Sequence, residues 1–238
     1  MANSGKLYLI PNTLGGESVN DIIPADVIQL VSNLRVFAVE DIKSARRLLR
    51  KMDRSFPIDD SKFVLLNKRT NEEQLMDLLL TMTRGENVGV ISEAGCPGVA
   101  DPGADLVNLA HTQGIQVAPL VGPSSFLLAL MGSGFSGQQF AFHGYLPKER
   151  KDRIRKLRDF EMDTRRNGTT HIFMDTPFRN MNVLEDMLNE LGDSTELCIA
   201  SGLTTYQEQI RTRSVADWRD HAYDLSKIPT VFLIGKGQ

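Results

Sequence analysis

The chain is expected to fold as an α/β protein, with a mostly parallel sheet in its first half and a second, mixed α/β part behind it. Three observations predict this. Short runs rich in apolar and β-branched residues alternate with stretches of helical spacing. Loops of small residues follow several of those runs, as ligand loops follow strands in open α/β sheets. The 238 residues are 41% hydrophobic and 24% charged, a globular mix long enough for one large domain or two small ones. This composition excludes disordered, collagenous and coiled-coil classes.

In order, strands are expected at 7–10, 34–39, 63–66, 88–92 and 116–120. Between the second and third, Ile42, Ala45, Leu48, Leu49 and Met52 recur at helical spacing, which puts the intervening basic side chains on the opposite face. After Leu120, VGPSS leads into an apolar helix at 126–131, and GSGFSG at 132–137 reads as a helix stop and link. A basic helix then runs from Pro147 to about Phe160, followed by a strand at 171–174, a helix at 178–191, a strand at 196–200 and extended segments near 209–213 and 230–234. The expected domains are 1–121 and 122–238.

The longest apolar runs fall far short of the roughly 18 residues that span a bilayer, and MANSGKLYLI lacks the pattern of a signal peptide. With only Cys96 and Cys198, and no CxxC or Cys/His cluster, neither a disulfide framework nor a structural metal is expected. The chain reads as cytoplasmic. P-loop, GxSxG and HExxH motifs are absent from the sequence, and GSGFSG follows a helix where a dinucleotide fingerprint would follow a strand. None of the four histidines shows paired spacing, so none is assigned a role, and Trp218 reads as a packing residue.

A net charge of −3 conceals two basic stretches, 43–54 and 148–158, each about +5. They read equally as solvated helix faces or as a footprint for a polyanion. The segment SEAGCPGVADPG, 92–103, packs glycines and prolines after a strand and reads as a ligand cradle. It also reads as a tight connection in which Asp101-Pro102 opens the next helix, with Asp as cap. PNTLGG at 11–16 and GPSS at 122–125 follow two further strands. In one parallel sheet the three loops would converge.

The blocks GKLYLIPNTLGG, FAVEDIKSARRLL, ISEAGCPGVADPG, VGPSSFLLALMGSGF, FAFHGYLPKER and IFMDTPFR, in this order over nearly the whole chain, resemble the tetrapyrrole methylase superfamily of S-adenosylmethionine-dependent methyltransferases. Within it they look most like the branch that methylates the ribose 2′-hydroxyl of cytidine in 16S ribosomal RNA. The resemblance implies two α/β domains with a cofactor cleft between them and a homodimer. It implies S-adenosylmethionine contacts at Pro11, Asn12, Gly15, Gly16, Ser92, Glu93, Ala94, Pro97, Ser124 and Ser125, and, from the second domain, at Thr176, Leu203, Pro229 and Thr230.

A ribose hydroxyl is a weak nucleophile, so a proton acceptor is expected at or after methyl transfer. Glu40, Asp41, Glu93, Asp101 and Glu208 are candidates. Glu40, Asp41 and Glu208 match acidic positions of the branch, while Glu40-Asp41 also reads as a cap for the basic helix. Lys43, Arg46, Lys68, Arg69, Lys148, Arg150, Lys151 and Arg179 are candidate RNA contacts. The branch's T-P-I-G-N is NTLGG here, its E-D-T-R is EDIK, its P-H-R is PFR, its H-E-H-N-E stretch is replaced around NKRTNEE, and its L-T-K-x-H-E is LTTYQE. Transfer to ribosomal RNA is thus the leading function. Methylation of a small acidic tetrapyrrole-like substrate and a non-catalytic RNA- or cofactor-binding relative are the alternatives.

Overall fold

Apolar residues at both phases of a strand require cover on both faces, and this is what the first half of the chain provides. A computed structural model describes residues 4–16, 18–67, 70–221 and 223–237. The chain divides into two compact units, Met1–Ser124 and Ser125–Gln238.

In the first unit, β1 (Leu7–Ile10), β2 (Val36–Val39), β3 (Lys62–Leu65), β4 (Val88–Ile91) and β5 (Val117–Pro119) form a parallel sheet ordered β3-β2-β4-β1-β5. Phe37 and Val39 pack on one face with α1 (Ala25–Ser32) and α2 (Ile42–Met52). Val36, Ala38, Val88 and Val90 pack on the other with α3 (Glu72–Thr83) and α4 (Ala104–Thr112). The sheet is therefore doubly wound. Its adjacent strands β1 and β4 feed helices on opposite faces, the switch point at whose carboxyl end ligands bind in such sheets.

Helix α2 has the predicted bounds and face. Asp41 caps it, accepting a hydrogen bond from the Ser44 N–H at 2.7 Å. Helix α4 does not begin as one of the two expectations had it. It starts at Ala104 with Gly103 as its N-cap, at φ 133° and with no side-chain cap, so Asp101 is not a helix cap. The backbone is left-handed at Gly95, Gly98, Ala100 and Gly103, and these turns carry the chain away from the helix axis before α4 begins.

The second unit carries β6 (Phe140–Tyr145), β7 (Thr170–Met174), β8 (Glu196–Ser201), β9 (Gln209–Ser214) and β10 (Thr230–Gly235) in the order β6-β7-β10-β8-β9. Strands β6 and β7 are parallel and the other pairs antiparallel. Its core joins Leu157 and Phe160 of α6 (Arg150–Asn167), Val183, Leu184 and Met187 of α7 (Asn180–Glu190), and Trp218 of α8 (Val215–Arg219). Trp218 is buried and donates its indole N–H to the Leu197 carbonyl at 2.8 Å, the packing role expected of it.

Two expectations about this half are corrected. The basic helix starts at Arg150 rather than Pro147 and runs on to Asn167, where Gly168 closes it in the left-handed conformation. The 132–137 segment stops a helix, as expected, but it is packed rather than a loose link. Gly132 and Ser133 close α5 (Ser125–Ser133), Gly132 lies against the Ile210 side chain, and Phe135 is buried against Gly235. Strand β6 was not expected as a strand: at the sheet edge its residues are only partly covered, so the apolar run that marks a buried strand is missing.

Candidate functional site

The three loops of the first unit are tied to one another. Asn12, buried, donates its amide to the carbonyls of Ser92 at 3.0 Å and Glu93 at 2.8 Å, while its backbone N–H donates to Gly95 at 2.9 Å. Its side-chain oxygen accepts the Thr13 N–H, so the amide nitrogen holds 11–16 against 92–103 while the oxygen braces its own loop. The Cys96 thiol donates to the Pro123 carbonyl at 3.3 Å, and burial pushes its ionisation upward, away from a reactive thiolate. A Cβ on Gly122 would lie 2.1 Å from Pro11 Cβ, so only glycine lets the third loop approach the first this closely. The expected convergence is present, at the carboxyl ends of β1, β4 and β5.

Carboxylates collect beside these loops. Glu40 follows β2, and one of its oxygens accepts the Glu93 N–H at 3.3 Å. Burial, then the charge of Glu40, pushes the Asp101 carboxyl up to about 6, with Glu93 adding to the rise and the Ser92 hydroxyl opposing it. Asp101 therefore sits with Ser92, Glu40 and Glu93 instead of capping α4. Asp41 is turned to its cap, and the hydrogen bonds from Ser44 hold its carboxyl below the usual range. Glu40 and Asp41, adjacent in sequence, thus face different tasks.

In the second unit, the predicted residues gather at one edge of the sheet. Buried Asp175 accepts the Thr176 N–H at 2.7 Å and pairs with Arg179 at 3.0 Å, and burial raises its carboxyl pKa. Arg179 also donates to the Pro147 carbonyl at 3.0 Å. The Asn180 amide donates to Ile228 O at 2.7 Å, and Gly202 N–H to Pro229 O at 2.9 Å. Leu203 and Thr230 are buried. The Glu208 carboxylate accepts the Thr204 N–H at 2.7 Å and so braces its own loop.

No family model matches the chain. A protein named ribosomal RNA small subunit methyltransferase I, from Vibrio cholerae, is 32% identical over 213 residues, 89% of this chain and 69% of the relative. The chain belongs to this methyltransferase family. A Thermotoga maritima protein of the same name is 29% identical over 220 residues, 91% of each chain. Among solved structures, a cobalt precorrin-4 methyltransferase shares the fold with a TM-score of 0.61 at 18% identity, covering 97% of this chain and 94% of that one. The chain therefore shares the fold of a tetrapyrrole methyltransferase, as the sequence motifs implied, and by its curated relatives the protein is an enzyme of the methyltransferase class.

Within this family frame the two basic stretches part company. On α6, Arg150 pairs with Asp186 at 2.8 Å, Arg153 with Asp186 at 2.6 Å, Arg155 with Asp152 at 3.0 Å and Arg158 with Glu190 at 2.6 Å. Much of that charge holds α6 on α7, which the sequence alone could not reveal because the partners lie some 30 residues away. Lys148 and Lys151 are exposed, with no ion pair among the described residues. On α2, Lys43, Arg46 and Arg47 are exposed and without ion pairs among the described residues, Arg46 lying over the Phe63 ring. Lys68 and Arg69 fall outside the described residues. Among the described residues, no acid, histidine and cysteine group is arranged to hold a metal ion, and no helix is long and apolar enough to cross a membrane.

One arrangement escaped the sequence reading. His143 and His171 join ring nitrogens at 2.9 Å, His171 reaches Asp163 at 2.8 Å, and both rings stack on Phe160. Burial, then the neighbouring His171, lowers His143 to about 4, and burial lowers His171, so the pair is a neutral polar stack at pH 7. Its only signal was one histidine on each of two segments, and nothing local said that those segments pair as parallel strands.

Proposed function

We propose that the protein transfers a methyl group from S-adenosylmethionine to a ribose 2′-hydroxyl of small-subunit ribosomal RNA. The observation that carries this is the knot of loops 11–16, 92–103 and 122–124 at the switch point, with Glu40, Glu93 and Asp101 beside it. Its side chains are rich in acceptors, which suits a ligand bearing ribose hydroxyls and positive charge. Ser92, Glu93, Ala94, Pro97, Ser124, Ser125 and the backbone of Pro11, Gly15 and Gly16 are proposed to hold the cofactor, with Asn12 fixing the shape of the cradle. Thr176, Leu203, Pro229 and Thr230 are proposed contacts from the second unit, supported by the family resemblance and by their meeting at one sheet edge.

S-adenosylmethionine supplies an electrophilic sulfonium methyl when bound. The protein's share is to bind, orient and exclude water, and to take up the proton of the hydroxyl. Asp101 is proposed as that acceptor, because a carboxyl titrating near 6 is ionised at neutral pH yet more basic than an ordinary aspartate. Lys43, Arg46, Lys148 and Lys151, exposed and without ion pairs among the described residues, are proposed phosphate contacts, while Arg179 is spent on Asp175 and Pro147. A homodimer working in the cytoplasm completes the reading.

The test is transfer of labelled methyl to small ribosomal subunits lacking native modification, followed by nuclease mapping. Label on a ribose 2′-oxygen is expected. Label on a base, or none from a preparation that binds the cofactor, would refute the reading, and sedimentation at micromolar concentration checks the dimer.

A further inference from the structure

Two aromatic rings stand out in the second unit. Phe178 is 84% exposed and Tyr206 is 97% exposed, and neither stacks on another ring among the described residues. Single exposed apolar residues are ordinary on protein surfaces and need no account. These two share one edge of one sheet. Strands β7 and β8 are both antiparallel to β10, which lies between them, so they are parallel to each other and their carboxyl ends leave the sheet on the same side. Phe178 follows β7 and Tyr206 follows β8. Two strand spacings separate the ends of β7 and β8, from which these loops leave, by about 10 Å.

Both loops are held rigidly. The hydrogen bonds from Asn180 to Ile228 and from Gly202 to Pro229 link the Phe178 loop to the Tyr206 loop through the start of β10. Around Tyr206, Thr205 Oγ1 donates to Gly202 O at 2.6 Å and Thr204 N–H to Glu208 at 2.7 Å, with Thr204 in the left-handed region at φ 63°. The Phe178 turn is closed by Arg179 N–H to Thr176 O at 2.8 Å. Cations stand at the same edge: exposed Lys148 follows β6, which runs parallel to β7, and exposed Lys227 precedes β10. Exposed rings on braced loops, at a sheet edge that also carries exposed lysines, suit a strand that offers both base faces and phosphates.

We infer that Phe178 and Tyr206 form a stacking platform for unpaired nucleotides of the RNA substrate, so that this edge reads single-stranded rather than duplex RNA. The inference rests on the ribosomal RNA reading above and deepens it.

The test compares full-length protein and the variants Phe178→Ala, Tyr206→Ala and their double in binding a labelled unpaired oligoribonucleotide and a hairpin of equal length. Methyl transfer to small subunits is measured in parallel. Each alanine is expected to weaken unpaired-strand binding roughly tenfold, with unchanged salt dependence because no phosphate contact is lost. Tyr206→Phe should restore binding, which a general loss of structure would not allow. Wild-type protein that methylates small subunits while the double variant binds unpaired RNA as tightly as wild type overturns the platform and leaves the function standing. Variants that lose self-association but keep RNA binding identify a second copy as the occupant, and also overturn it. Wild-type protein that neither binds RNA nor methylates it removes both readings.

Discussion

Asp101→Asn should make the protein more stable and less active, and the structure fixes the pH at which each effect appears. The Asp101 carboxyl rises from its ordinary 3.8 to about 6, chiefly through burial and then through Glu40. A raised carboxyl favours the fold fully below 3.8, and this contribution is lost as the pH rises through about 6. The displacement is worth at most about 3 kcal/mol, and partial contact with solvent reduces it to about 1–2 kcal/mol. Asparagine is neutral throughout, so it removes the penalty of ionisation at high pH and changes little near pH 4. At pH 8 the variant should melt about 2–4 °C higher for each kcal/mol gained. Far-UV circular dichroism is the suitable probe, because the single tryptophan, Trp218, reports on the other unit. In wild-type protein kcat/KM should rise with pH around a midpoint near 6, and in the variant that rise should vanish along with most of the activity. A variant less stable at pH 8, or equally stabilised at pH 4 and 8, would refute the electrostatic account. One that transfers methyl at the wild-type rate would refute the catalytic one.

Asp41→Ala removes the cap of α2 and should cost about 1 kcal/mol by thermal melting while leaving kcat unchanged. Gly122→Ala drives a Cβ into Pro11 and should destabilise the first unit by about 1–3 kcal/mol, with weaker S-adenosylmethionine binding by calorimetry. Arg153→Met leaves Asp186, whose side chain is 3% exposed, with only the peripheral Arg150, so urea unfolding should show a loss of about 3 kcal/mol in the second unit.

The site was legible in the sequence to the extent that local chemistry writes it. Glycines and prolines after apolar runs marked the loops, because only such residues make tight turns at strand ends. The same local logic failed at Asp101. The pair Asp-Pro before a helix has good capping chemistry, but the left-handed turns at Gly98, Ala100 and Gly103 redirect the chain, and the carboxylate is left facing Glu40 from a strand more than 50 residues earlier. The basic stretch on α6 failed likewise, since Asp186 and Glu190 consume its arginines across a helix pair.

By itself the sequence determined the alternation of strand and helix, the amphipathic face of α2 and the family, because each depends on neighbours along the chain or on motif order. Only the tertiary structure decided which carboxylate has a perturbed proton affinity, which arginines remain free for phosphates, and that Phe178 and Tyr206 share an edge. Those properties depend on distance and burial between residues remote in sequence, and both are set by strand order and not by local pattern.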